Sequence, residues 1–213
     1  MRALVALNGK ISNIARLKII LSELTFDYIV GVDGGIHHLI SLGYSPDVMI
    51  GDFDSTNLEA HKNKWPKAQV LKFNTEKDMT DAELAFSYTA GKGFSEMIVI
   101  GAFGGRLDHL LGNIFLLERY PNIMLLGPFN RAKLLVGPTD REIVKRSGFL
   151  SLIPISDLAE GVTLKGFKYP LDDVVLRRGT TWGISNEIVS EQAHIFIRQG
   201  KVLAIISEEE DNG

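Results

Sequence analysis

Apolar residues in the first part of the chain come in short runs, each followed by a glycine- or aspartate-bearing junction and then by a stretch with helical spacing. Residues 3–7, 28–32, 48–50, 70–73, 97–100 and 123–126 read as buried strands. The intervening 11–24, 36–42, 58–64, 78–90 and 110–120 read as helices. In the first helix the apolar positions are Ile11, Ile14, Leu17 and Leu21, with Ser12 or Asn13 as cap. Gly43 stops the second, Pro66 ends the third, and Gly91 and Gly93 terminate the fourth. Alternation of this length predicts an α/β domain over residues 1–128, a mainly parallel sheet with helices on both faces. Past Pro128 the pattern changes. Residues 133–136, 142–145, 149–153, 162–167, 174–176, 194–198 and 202–206 are short β-like runs. Gly137-Pro138, Ser147-Gly148, Glu160-Gly161 and Gln199-Gly200 punctuate them. A second domain over 132–207 is expected to be an all-β sandwich, followed by an acidic tail at 208–213.

Composition narrows the function classes. The 213 residues are 45% apolar with a formal net charge of -3, ordinary for globular domains. No Lys/Arg-rich run offers a phosphate-tracking patch, so nucleic acid is not an expected partner. The chain has no cysteine, which excludes disulfides, thiolate zinc sites and a cysteine nucleophile. No apolar run approaches the roughly 20 residues of a membrane span, and the first apolar run is too short for a secretory signal. A cytoplasmic location without membrane contact is the expectation.

The chemistry-bearing residues gather at the junctions. Asp52 and Asp54 follow the strand that ends at Gly51; in extended backbone such alternate side chains leave on one side. Asp33, Asp78, Asp81 and Asp108 fall at other strand ends or in the helix turn just after one, the edge of an open α/β sheet where ligands bind. Asp78 and Asp81, three apart on a helix, would share a face. Each has a structural reading too: an Asx turn for Asp52 and Asp54, a Thr80–Glu83 capping box with Asp81 complementing the helix dipole. Six carboxylates at one edge favour a magnesium–phosphate site. Gly101-Ala-Phe-Gly-Gly105 ahead of a helix offers backbone N–H groups to a phosphate, with Arg106 as a charged donor and Lys77 as a second cation. In the β-rich half, Trp182, Ser185 and Asn186 combine a flat apolar face with neutral donors and acceptors suited to a heterocycle; the alternative is a turn with a buried Trp.

Six segments, in order, resemble the thiamine pyrophosphokinase family: Val32-Asp-Gly-Gly35, Gly51-Asp-Phe-Asp-Ser55, Lys77-Asp-Met-Thr-Asp81, Gly104-Gly-Arg-Leu-Asp-His109, Gly166-Phe-Lys-Tyr-Pro-Leu171 and Ser185-Asn-Glu187. The resemblance implies an ATP-binding α/β domain and a β-sandwich that binds thiamine and dimerises. It implies a homodimer with active sites at the subunit interface, and transfer of the diphosphoryl group of ATP to the thiamine hydroxyl, giving thiamine diphosphate and AMP with Mg²⁺. By motif, Asp52, Asp54 and Asp81 would hold magnesium, and Asp33 and Asp108 would complete the acidic site. Lys77, Asp78, Thr80 and Arg106 would lie near the triphosphate, and Ser185 and Asn186 would meet the thiamine rings; a stacking role for Trp182 stays open.

Three rivals follow from the residues. Val48 to Thr56 also matches the Asp-x-Asp loop of haloacid-dehalogenase-type phosphatases, with Asp52 as nucleophile. A non-catalytic thiamine or nucleotide sensor would use the carboxylates for affinity alone. A diphosphokinase acting on another heterocyclic alcohol would keep the chemistry and change the acceptor.

Overall fold

The computed structural model describes residues 1–54, 57–73, 78–144 and 147–209. It divides the chain into two compact units, Met1–Pro128 and Phe129–Gly213. The first carries β1 (Arg2–Ala6), α1 (Ile14–Ser22), β2 (Tyr28–Val32), α2 (Gly35–Leu42), β3 (Val48–Gly51), α3 (Leu58–Lys64), β4 (Gln69–Lys72), α4 (Asp81–Gly91), β5 (Glu96–Ile100), α5 (Leu107–Arg119) and β6 (Ile123–Leu126). Its strands lie in the order β6-β5-β1-β2-β3-β4, and the described pairings among them are parallel. Because helices cover both faces, the central strands are apolar without alternation: Ala3, Leu4, Val5 and Ala6 of β1 and Met97 to Ile100 of β5 are fully buried. Leu17 and Leu21 of α1 and Leu39 of α2 pack with Leu4, Ile98 and Ile100, each buried leucine contributing about 2 kcal/mol.

Helix starts are set by side-chain caps more finely than by apolar spacing. Asn13 Oδ1 accepts the Arg16 N–H at 2.9 Å and starts α1 at Ile14, three residues later than the spacing predicts. Thr80 Oγ1 accepts the Glu83 N–H at 3.2 Å and starts α4 at Asp81. Asp78 therefore precedes the helix, which corrects the expectation that Asp78 and Asp81 share a helical face. Only half of the expected capping box forms among the described residues, since the Glu83 carboxylate pairs with Arg119 at 2.8 Å. α5 begins three residues earlier than its apolar face suggests, so Asp108 lies in its first turn.

The second unit is built of β7 (Asn130–Val136), β8 (Thr139–Val144), β9 (Phe149–Pro154), β10 (Leu158–Lys165), β11 (Leu171–Arg177), β12 (Asn186–Glu187), β13 (Gln192–Ile197) and β14 (Lys201–Ser207). Two antiparallel sheets, β12-β9-β14-β7 and β11-β10-β13-β8, enclose Leu150, Leu152, Val162, Leu164, Ile195 and Val202. Strict alternation along β13, exposed then buried, is the pattern of a sheet with one wet face. The two-residue β12 has no signal of its own in the sequence. No helix among the described residues is long and apolar enough to cross a membrane.

Candidate active site

The carboxylates of the α/β unit sit where β2, β3, β4 and β5 end, along the C-terminal edge of the sheet. Asp33 follows β2 in a left-handed conformation, φ 45°, its N–H donating to Ile50 O at 2.9 Å. Its carboxyl group lies over the end of β3, where a Cβ on residue 51 would come within 1.7 Å of Asp33 Oδ1. Only glycine at Gly51 leaves that space.

Three acids meet there. Burial first, then a hydrogen bond and repulsion from Asp81, push the Asp33 carboxyl up to about 7; the Phe53 N–H, at 3.5 Å, pulls the other way, and Asp52 adds to the rise. Two carboxyl groups in hydrogen-bond contact must share a proton, or a cation in its place.

The Asp52–Asp54 loop differs from an extended ladder. Phe53 has φ 61° and is buried against Ile36 and Met49, anchoring the loop to the core between its two acids. Asp52 Oδ1 accepts the Asp54 N–H at 3.1 Å, an Asx turn. The buried Phe53 ring and that turn, not alternate projection from a strand, orient these carboxylates. Asp54 and Asp78 are exposed. Among the described residues no three Asp, Glu, His or Cys side chains form a ready-made metal shell. The facing Asp33 and Asp81 carboxyls, with Asp52 beside them, nonetheless present the hard oxygen donors that Mg²⁺ prefers.

Arg106 and Asp108 form a second cluster. The guanidinium grips the carboxylate through two bonds of 3.1 and 2.5 Å, and the His109 N–H donates to Asp108 Oδ1 at 2.9 Å. This partner pulls Asp108 down to about 2, so it stays ionised. Of the glycines before it, Gly101 and Gly104 are held in close backbone packing, whereas Gly105 faces open space. A Cβ on Gly9 would lie 2.2 Å from Gly101 O, and one on Gly104 would lie 2.0 Å from Lys10 O. The loops after β1 and β5 thus interlock backbone to backbone at the crevice where the strand order reverses. Lys77 lies outside the described residues.

In the β unit, Trp182 is 60% exposed, which removes the buried-turn alternative and leaves its ring open to a ligand. Ser185 is exposed with φ 60°, and its N–H donates to Ser151 Oγ at 3.1 Å. Asn186 is buried. Its Oδ1 accepts from the N–H groups of Tyr169 and Glu187, both at 3.0 Å, and its Nδ2 donates to Tyr169 O at 2.7 Å. One amide N–H remains for a ligand.

A groove that the sequence marks only faintly runs between α4 and α5, lined by Thr80 and Asp108 at one end and by Gly112, Asn113, Phe115 and Leu116 further along. Its signal was Gly112, an isolated glycine inside a helical pattern.

Comparison with known proteins accounts for both units. Residues 23–125 match the family described as thiamin pyrophosphokinase, catalytic domain, and residues 141–202 match thiamin pyrophosphokinase, vitamin B1 binding domain. A thiamine pyrophosphokinase of Bacillus subtilis is 33% identical over 184 residues, covering 84% of this chain and 86% of that protein. The crystal structure of the Bacillus subtilis enzyme superposes with a TM-score of 0.88 at 29% identity, over 99% of this chain and 100% of that one. The thiamin pyrophosphokinase structure from Geobacillus thermodenitrificans gives 0.86 at 30% identity, over 99% of each chain. With matches along both units, the chain belongs to the thiamine pyrophosphokinase family of enzymes.

Proposed function

We propose that this chain transfers the diphosphoryl group of ATP to the hydroxyl of thiamine, giving thiamine diphosphate and AMP, with Mg²⁺ held by Asp52, Asp54 and Asp81. The observation that carries the reading is the meeting of Asp33, Asp52 and Asp81 at the C-terminal edge of the sheet, in a chain of this family. A cation there takes the place of the proton that Asp33 and Asp81 share, so donor chemistry and charge both suit Mg²⁺. When bound, the ion supplies positive charge against the triphosphate and against the charge that develops as AMP departs.

The chain's own residues do the rest. Arg106 exchanges one of its bonds to Asp108 for a phosphate oxygen, a substitution favoured by the planar guanidinium and by the exposure of the pair. Thr80 and Asp78 stand at the start of α4 and orient the triphosphate, with Lys77, assigned by motif alone, as a second cation for it. Asp33 and Asp108 are the two carboxyls that work at the attacking hydroxyl. Trp182 offers its open ring face to the thiamine heterocycles, Ser185 its hydroxyl, and Asn186 its remaining N–H together with a fixed Tyr169 backbone. The cationic thiazolium suits an acidic site. The assembly is proposed as a homodimer with active sites at the subunit interface, to be read from light scattering. The phosphatase, the sensor and the diphosphokinase for another alcohol draw no support from the family matches.

Incubation with ATP, Mg²⁺ and thiamine, followed by chromatography, tests the reaction. Equimolar AMP and thiamine diphosphate are expected. Inorganic phosphate, or ADP with thiamine monophosphate, would overturn it.

A further inference from the structure

The loop after β1, residues 8–10, is clasped from two sides. On the α2 side, a Cβ on Gly34 would lie 2.1 Å from Asn8 Oδ1, and one on Gly35 would lie 2.0 Å from Ala6 O. On the β5 side, the Gly9 N–H donates to Gly101 O at 3.0 Å, and a Cβ on Gly9 would lie 2.4 Å from Gly104 O. One helix side chain ties the loop down. His38 of α2 is half-buried, and its Nε2 lies 2.9 Å from Gly9 O. A carbonyl oxygen can only accept, so Nε2 carries the proton and donates. The core-facing side chains of α2 are Ile36, Leu39 and Leu42, so burying the helix does not call for histidine here.

This hold reaches both ends of the acidic edge. Only Gly105, which faces open space at φ 108°, lies between the clasped Gly104 and Arg106. At its other end, α2 starts two residues after Asp33. One helix therefore joins the Asp33–Asp81 corner to the loop that carries the guanidinium. A triphosphate gripped at both places needs them at a fixed separation before it arrives. Close packing of backbones sets how near the two loops come but leaves them able to slide. A hydrogen bond is directional and stops the slide.

We infer that His38 is a positioning residue for diphosphoryl transfer: by donating Nε2–H to Gly9 O, it fixes the loops after β1 and β5 so that Arg106 meets a triphosphate held at the Asp33–Asp81 corner. The role rests on the reaction proposed above and on Arg106 gripping phosphate. It adds a residue that acts through backbone, not on a substrate.

Steady-state kinetics of His38→Gln and His38→Asn test it. The glutamine amide nitrogen reaches about as far as Nε2 and can donate to Gly9 O; the asparagine amide is shorter by a methylene. His38→Asn should raise the KM for ATP about fivefold and leave kcat and the KM for thiamine within about twofold, whereas His38→Gln should keep all three. In an Arg106→Ala background, His38→Asn should add less than about twofold, because its effect passes through Arg106. A general loss of stability would instead lower the melting temperature and add to Arg106→Ala in full. An unchanged KM for ATP in His38→Asn, the same rise in His38→Gln, or full additivity overturns the role. Long-range proton–nitrogen NMR of the unaltered protein should find the His38 proton on Nε2. A neutral ring protonated at Nδ1 overturns the role even if His38→Asn fails to fold. The reaction and the role fail separately. If no AMP forms, calorimetric affinities for ATP with Mg²⁺ take the place of KM: the same pattern keeps His38 as a positioning residue for the triphosphate while the transfer falls, and its absence overturns both.

Discussion

Two acidic sites on one sheet edge behave in opposite ways. Asp33, half-buried and facing Asp81, is pushed up to about 7, whereas Asp108, exposed and gripped by Arg106, is pulled down to about 2. The residue type is the same and so is the sheet edge, although Asp33 directly follows β2 and Asp108 lies in the first turn of α5. Burial beside a like charge makes one a place where positive charge is missing. An adjacent guanidinium makes the other a place where charge is already balanced and can be exchanged. Under the proposed function, the difference separates two tasks that a triphosphate site needs, holding a cation and gripping phosphate oxygens.

The comparison is broken most sharply on the Asp81 side. Asp81→Asn should lower AMP formation by about a thousandfold or more, since it removes a carboxylate proposed for the metal shell. The same change relieves a like-charge contact, so the metal-free melting temperature should hold or rise. Turnover close to the unaltered enzyme would take Asp81 out of the cation site. A smaller effect is expected across the edge: Arg106→Ala should raise the KM for ATP about tenfold and leave the KM for thiamine nearly unchanged. An equal rise in both would detach Arg106 from the triphosphate.

The smallest effect concerns pH. Between about 3.8, the ordinary aspartate value, and about 7, the unfolded chain has released a proton that folded Asp33 still holds. The metal-free protein should therefore lose stability as pH rises through that window, by on the order of 1–2 kcal/mol once screening at this partly exposed group is allowed for. Asp108 works in the reverse direction, its contribution being lost as pH falls from about 3.8 towards 2. Thermal melts from pH 4 to 8 without metal check the first, and added Mg²⁺ should recover stability at the upper end. A melting temperature that climbs steadily to pH 8 without metal would place Asp33 outside a like-charge contact.

Much of the architecture was legible because buried strands and amphipathic helices leave periodic marks. Residues 28–32, 58–64 and 123–126 match β2, α3 and β6 to the residue. The helix starts at Ile14 and Asp81 were displaced because a single Asn or Thr hydrogen bond outweighs a marginal apolar position. β12 was invisible because two residues carry no period and are held only by pairing with β9. In the site, the acids could be named from their junctions, but their separate behaviours could not. Asp78 and Asp81 fell on opposite sides of a helix start, and the direction of Asp52 and Asp54 was decided by a buried Phe53 ring between them.

What the sequence determined by itself was the order of elements apart from β12, the change from α/β to β at about residue 128, and the presence of carboxylates at successive junctions after strands. Those features follow from burial and local hydrogen bonding, which act over a few neighbouring residues. The tertiary structure decided that Asp81 reaches Asp33, that Gly51 leaves room for it, that Arg106 pairs with Asp108, and that Gly112 and Asn113 open onto a groove. Each of these depends on which strands and helices become neighbours, and a charge or an empty space acquires its meaning only from what the fold sets against it.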